Sequence, residues 1–345
     1  MRDRSQGAGV EKGRGRMSQA GGVVVVLGSV NRDVVAEVAA LPGAGETVIA
    51  HAVRLSVGGK GANQAVAAHR LGANVTLVAR LGDDPDSVQL RTELVSVGLD
   101  VRAVRGMAGY RSGTAYIAVS GAENTIIVDP GANHSWPDGL GADTDAVASA
   151  ALLVLQHEIP ERINKLAVQT SSARVILNAA PSRPVSRELL SRCDPLVVNE
   201  HELADQVGSQ ELSAIRPAMR ALIERGARSV VATLGAAGAA WCTTDDFGQV
   251  NAIAVDAVDS TGAGDALVGA LAGELAAGAA LPMAVEWAVA AASASVRATG
   301  THASYPDRDV VLDLLHHDRG LPTSDPGHVL PSPGVDLDTV AIVDE

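Results

Sequence analysis

Residues 23–27 read VVVVL, a continuous β-branched run with no polar alternation. Such a run marks a strand buried on both faces rather than one with a wet side. A strand of that kind needs helices above and below it. Similar short runs recur at 75–79, 152–155, 174–177, 195–198 and 229–233, and helical patterns alternate with them. The alternation predicts an α/β fold, a doubly wound and mostly parallel sheet with helices on both faces. Helices are expected from about 60 to Leu71 and over 84–97, 211–225, 264–277, 282–298 and 307–316, with further strands near 239–243 and 250–255. Aromatic residues make up only 2% of the chain, so the core must be built from Ala, Val, Leu and Ile.

Two stretches break the rhythm. Residues 34–56 suggest strands at 34–38 and 47–55 around Leu41-Pro42-Gly43-Ala44-Gly45, and 113–119 with 124–128 suggest a hairpin around Gly121. Together they predict a small β-sheet lid, from about 34–56 and 113–128, over the carboxyl edge of the main sheet. The main body is expected over 22–319. A Gly-rich leader over 1–21, with Met17 as a second possible start, and a Pro/Gly-rich tail over 320–345 are both expected to be disordered.

The net charge of −13 and the lack of a long basic face argue against nucleic acid as a partner. The leader's Arg2, Arg4, Lys12, Arg14 and Arg16 are the nearest to a basic run. The five apolar residues after it are too few for a signal-peptide core or a membrane span. Cys193 and Cys242 have no metal-ligand spacing and give no disulfide framework. A soluble, cytoplasmic protein is expected.

Polar residues gather where the strands end: Asn31 and Asp33, Glu158, Asn178, Asn199 and Asp265. Ligands of open α/β sheets bind beyond the carboxyl ends of strands. The segment 259–265, Asp-Ser-Thr-Gly-Ala-Gly-Asp, leads into a long run of small and apolar residues. Its glycines allow an anion to approach the first amides of a helix, where the dipole favours negative charge. A carboxylate at Asp265 would repel that anion unless it acts on a neighbour, such as a hydroxyl that attacks a phosphoryl group. The same residue also fits a plain helix cap. The run 57–64, Val-Gly-Gly-Lys-Gly-Ala-Asn-Gln, is neither a Walker A loop nor a GxGxxG turn, yet its paired glycines and Lys60 suit close approach of a ligand.

In combination, LGSVNRD (27–33), VGGKGANQAVAA (57–68), PGAN (130–133), LQHE (155–158), LNAAPSR (177–183), VNEHE (198–202), TLGAAG (233–238) and DSTGAGD (259–265) resemble the ribokinase-like (PfkB) family of carbohydrate and nucleoside kinases. The resemblance covers about 22–316, and its sugar-side motifs lean to the ribose-phosphorylating members. It implies ATP-dependent phosphorylation of D-ribose at the 5-hydroxyl, with Asp265 as general base and the amides of Gly262, Ala263 and Gly264 as anion hole. It implies that Asn31, Asp33, Gly59, Lys60, Gly61, Ala62, Asn63 and Glu158 hold the sugar. Asn199, Thr233, Leu234, Gly235, Ala236, Ala237, Gly238, Gly264 and Asp265 would meet the nucleotide, and Glu202 would reach Mg²⁺ through water. Asp259, Thr261, Ser295, Ala298, Gly300 and Ser304 would hold K⁺, and the lid would form a homodimer contact. The chain departs from the family at Leu267 and Val268, at Val289 near the adenine site, at Asn178-Ala179-Ala180-Pro181, and at Thr301 and His302 in the cation loop. A kinase for 2-deoxyribose, another sugar or a nucleoside, or a non-catalytic sugar-binding regulator, are the alternatives.

Overall fold

The structure, a computed structural model, describes residues 21–320 except 122 and 210–213. The expected disordered leader (but for Gly21) and tail (but for Gly320) lie outside the described residues. The chain begins with β1 (Val24–Leu27), then β2 (Asn31–Val38), β3 (Ala50–Gly58), α1 (Lys60–Arg70), β4 (Val75–Leu81), α2 (Pro85–Ser96) and β5 (Val104–Gly106). A hairpin, β6 (Gly113–Ser120) and β7 (Glu123–Asp129), precedes α3 (Thr144–Ala148), β8 (Leu152–Leu155), α4 (Glu161–Thr170), β9 (Arg174–Asn178), α5 (Arg187–Leu190) and β10 (Cys193–Asn199). The remainder runs α6 (Glu200–Val207), α7 (Ile215–Glu224), β11 (Ser229–Thr233), β12 (Ala239–Thr243), β13 (Phe247–Val250), α8 (Ala263–Ala276), α9 (Leu281–Ser295) and α10 (Arg308–Asp318).

Nine strands form the main sheet in the order β13-β12-β11-β10-β9-β8-β1-β4-β5, all running one way except β12, which is antiparallel to both of its neighbours. β1 is central, and all four of its residues are buried. Val24 and Val26 join the core under α1, α8 and α9; Val25 and Leu27 join the core on the other face. This is the doubly wound architecture read from the buried runs. The expected strand at 250–255 is corrected. The chain turns at Thr243–Asp246, where the Thr243 amide donates to Asp246 O (2.9 Å), so the edge strand is 247–250. Residues 251–257 leave the sheet. The helix expected over 211–225 is α7, and α6 before it was not anticipated.

The second sheet has the order β3-β2-β6-β7. β2 runs antiparallel to β3 and parallel to β6, so Asn31 is flanked by Gly58 and Gly113. It matches the expected lid, with strands that reach further into the site. Arg32 is 2% exposed and its guanidinium meets Asp86 (3.3 Å), Gln89 (3.1 Å) and Glu93 (3.2 Å), all on α2. The lid strand is therefore pinned to the body at its second residue.

Candidate active site

The amino end of α8 sets the geometry. Gly262, at the N-cap, has φ +79°, a left-handed conformation that favours glycine, and a Cβ there would lie 2.8 Å from the Tyr305 hydroxyl. The first helical bond runs from Ala266 N to Gly262 O (2.8 Å), so the earlier amides have no partner within the helix. Of these, the Ala263 amide donates to Ser260 O at 3.2 Å, which closes the turn. The amides of Gly262, Gly264 and Asp265 remain, and a Cβ on Gly264 would meet nothing within 4 Å, which leaves room for an anion there.

Asp265 is 7% exposed, in the first turn. Its Oδ2 accepts from Asn63 Nδ2 (3.0 Å) and its Oδ1 from Gln64 Nε2 (2.8 Å). These donors are consecutive on α1, some two hundred residues away in sequence. They reach Asp265 because α1 and α8 touch backbone to backbone: a Cβ on Gly269 would lie 2.6 Å from Ala67 Cβ and 2.7 Å from Gln64 O. Gln64 is fixed in turn, donating also to Asn178 Oδ1 (3.0 Å) and accepting from Gln156 Nε2 (2.8 Å). Gln64 lies in the quoted motif, but sequence reasoning gave it no role, because its partners are remote.

The cleft beside Asp265 is polar. Asn31 Oδ1 accepts from Asn133 Nδ2 (2.7 Å), and Asn133 Oδ1 accepts from the Val30 amide (3.0 Å), so the PGAN asparagine orients Asn31. Glu158 Oε2 accepts from the Lys60 amide (2.9 Å) and from the Ser29 hydroxyl. Burial, with the Glu158 and Asp265 carboxylates behind it, pushes the Asp33 carboxyl up to about 7. Burial alone would lower the Lys60 ammonium, but Asp265, Glu158 and Glu202 outweigh it and hold its pKa above the ordinary value. Gly59 caps α1 at φ +88°. Gly61 and Ala62 serve packing: a Cβ on Gly61 would lie 2.5 Å from Ser29 N, and Ala62 is fully buried with its amide on Ser29 O (2.9 Å).

On the other side of the α8 terminus lies a cavity of about 620 Å³. Thr233, Gly235, Ala236, Gly238 and Gly264 line its polar end; Ile253, Val255, Leu267, Val289 and Val296 form apolar walls. Leu234 and Ala237, expected here, are not among the lining residues, and neither is Asn199. Asn199 caps α6 instead: its Oδ1 accepts from the Glu202 amide (2.7 Å), and Glu202 Oε2 accepts from the Asn199 amide (2.8 Å). This reciprocal capping box is the signal from which α6 was legible.

Asp259 clasps two segments, accepting from the Thr261 amide (2.8 Å) and the Gly300 amide (2.9 Å). The Ser304 hydroxyl donates to Gly300 O and Thr301 O (2.8 Å each), and that of Ser295 to Ala292 O (2.9 Å). Among the described residues no three His, Cys, Asp or Glu side chains are grouped to hold a metal ion. No helix among them is long and apolar enough to cross a membrane.

An electropositive helix end, a buried carboxylate in its first turn, an apolar cavity on one side and a polar cleft on the other suit transfer of a phosphoryl group to a hydroxyl. The class so defined is that of small-molecule kinases. A family model described as "pfkB family carbohydrate kinase" matches residues 23–308, and the chain belongs to that family. A deoxyribokinase of Salmonella typhi is 34% identical over 300 residues, covering 85% of this chain and 98% of that protein. A ribokinase of Bacillus subtilis is 33% identical over 299 residues, covering 85% and 99%. The solved structure of Arabidopsis thaliana ribokinase with ribose and ATP superposes with a TM-score of 0.80 at 33% identity, covering 86% of this chain and 99% of that one.

Proposed function

We propose that this enzyme transfers the γ-phosphoryl group of ATP to the 5-hydroxyl of D-ribose. The observation that carries the reading is the Asp265 carboxylate, held by two amide donors beside the free amides of α8. Asp265 takes the proton of the 5-hydroxyl. That oxygen forms a bond to the γ-phosphorus, the bond to the β,γ-bridging oxygen breaks, and ADP leaves with its electron pair. The Gly262 and Gly264 amides meet the charge on the transferring group; one such donor is typically worth about 2.7–4 kcal/mol. Asn31, Asp33, Lys60, Asn63 and Glu158 orient the sugar from the cleft, and the cavity lined by Thr233 to Val289 takes the nucleoside.

Mg²⁺ bound with ATP supplies charge neutralisation of the phosphates. Glu202 fits a water-mediated role: one oxygen is committed to its cap, and burial raises its carboxyl against the pull of the Asn199 amide and Lys60. The loop clasped by Asp259 offers a carboxylate and backbone oxygens, hard donors that suit K⁺. The lid, with Val53 and Leu55 both 59% exposed and Ile127 68% exposed, suits a homodimer contact. We place the enzyme in the cytoplasm.

The Salmonella relative named for deoxyribose is as similar as those named for ribose, and 2-deoxyribose is therefore the second reading. The test is ADP release with ATP and Mg²⁺ over ribose, 2-deoxyribose, fructose, adenosine and uridine, each with and without K⁺. Ribose preference with K⁺ activation is expected. A kcat/KM for 2-deoxyribose above that for ribose would hand the assignment to the second reading, and no ADP with any acceptor would sink both.

A further inference from the structure

Asp265 is held by two arms of different origin. One arm is internal: Gln156, just past β8, donates to Gln64 Oε1 (2.8 Å), and Gln64 donates to Asp265 Oδ1 (2.8 Å). The other comes from the loop after α9. His302 Nε2 lies 3.0 Å from Asn63 Oδ1, and Asn63 Nδ2 donates to Asp265 Oδ2 (3.0 Å).

An asparagine amide can be turned by 180° at little steric cost, since its oxygen and nitrogen are nearly the same size; its partners decide the orientation. The wrong orientation would set Asn63 Oδ1 against a carboxylate oxygen and remove the hold on it. The Asp265 side demands the NH₂ group. The far side must then supply a donor to Oδ1, and His302 supplies it only as the tautomer with its proton on Nε2. The imidazole is itself fixed: its ring lies 6.1 Å from that of Tyr305 at a 44° tilt, and its loop is tied down by the Gly300 amide on Asp259 and the Ser304 amide on Thr301 O (3.0 Å).

We infer that His302 is a positioning residue for the base: through Asn63 it fixes one oxygen of Asp265, and it makes the placement of the 300–304 loop felt at the reacting carboxylate. This inference rests on the assignment of Asp265 as base. Loss of the donor frees the Asn63 amide to turn and lets the carboxylate swing about its remaining tie to Gln64.

The first experiment needs no substrate. A long-range ¹H–¹⁵N spectrum of the ligand-free protein reports the His302 tautomer, assigned by comparison with His302→Gln. Protonation at Nε2 is expected; a bare Nε2 with the proton on Nδ1 overturns the inference whatever the enzyme phosphorylates. The second experiment is kinetic. His302→Leu is expected to lower kcat about ten- to a hundredfold, as loss of an orienting partner does, with the KM for nucleotide within about twofold. His302→Gln restores a donor of similar reach and is expected to recover kcat to within about threefold. The double variant His302→Leu with Asn63→Ala should be no slower than Asn63→Ala alone. A His302→Leu enzyme with wild-type kcat, or a His302→Gln enzyme as slow as His302→Leu while both keep the wild-type melting temperature, overturns it. A wild-type protein inactive on every acceptor would instead overturn the kinase reading and leave the tautomer result standing.

Discussion

Three carboxyl groups, on Asp33, Glu158 and Asp265, share one cleft with the Lys60 ammonium. Asp33 absorbs the conflict, since burial and its two acidic neighbours bring it to about 7. As a sugar ligand it is a better acceptor when ionised, so the KM for sugar should fall as pH rises from 6 to 8, and Asp33→Asn should flatten that dependence. Steady-state kinetics across this range checks it; a KM that rises with pH would contradict the role. The stability effect has the opposite sense. A folded pKa above the unfolded 3.8 means that the folded state binds the proton more tightly. This contribution is fully present below pH 3.8 and is lost as pH rises through about 7, so the ligand-free protein should melt at a lower temperature at pH 8 than at pH 5.5 in this respect, and Asp33→Asn should narrow the gap. Asp265→Asn is expected to lower kcat by about 10²–10⁴ while calorimetry still shows sugar binding. An amide there must turn an NH₂ toward Asn63 or Gln64, so a modest loss of stability should accompany it.

Between the helices the decisive contact is a glycine. Gly269 lies one turn beyond Asp265, against Ala67, and it has no room for a methyl group. Gly269→Ala should push α8 off α1, cost about 1–3 kcal/mol in chemical denaturation, and lower kcat although the substitution touches no ligand. Unchanged kcat would show that the carboxylate keeps its place without the close approach. At this scale the sequence was most informative. Buried strands such as β1 are self-evident in a run of valines, and Asp84, which accepts from the Ser87 amide, announces α2. The Asn199–Glu202 capping box also announced α6, yet it was read only as ligand chemistry. The edge strand β13 was misplaced because it lacks the apolar run that marked the others, while 251–257 has apolar residues that line a cavity instead. What the sequence hid is the set of contacts that join distant segments: Gln64, Asn133 and His302 are each polar residues in a quoted or neighbouring motif, and only the fold reveals what they hold.

For the whole molecule, the lid is the proposed site of assembly. Its strands leave Val53, Leu55, Tyr116, Ile126 and Ile127 in water. Sedimentation should show a dimer, and Leu55→Asp together with Ile127→Asp should shift it to monomer; a wild-type monomer at micromolar concentration would remove the lid from the list of interfaces. The grip of α2 on Arg32 has a mechanical consequence. A strand clamped at its second residue is a lever whose pivot lies between Asn31 and Asp33 and whose long arm runs from Asp33 to Val38, about 20 Å at the rise of a β-strand. A tilt of about 10° about that pivot would carry the far end some 3–4 Å and the two residues proposed to hold the sugar well under 1 Å. The lid can thus travel at its tip while Asn31 and Asp33, the proposed sugar ligands at its root, keep their place.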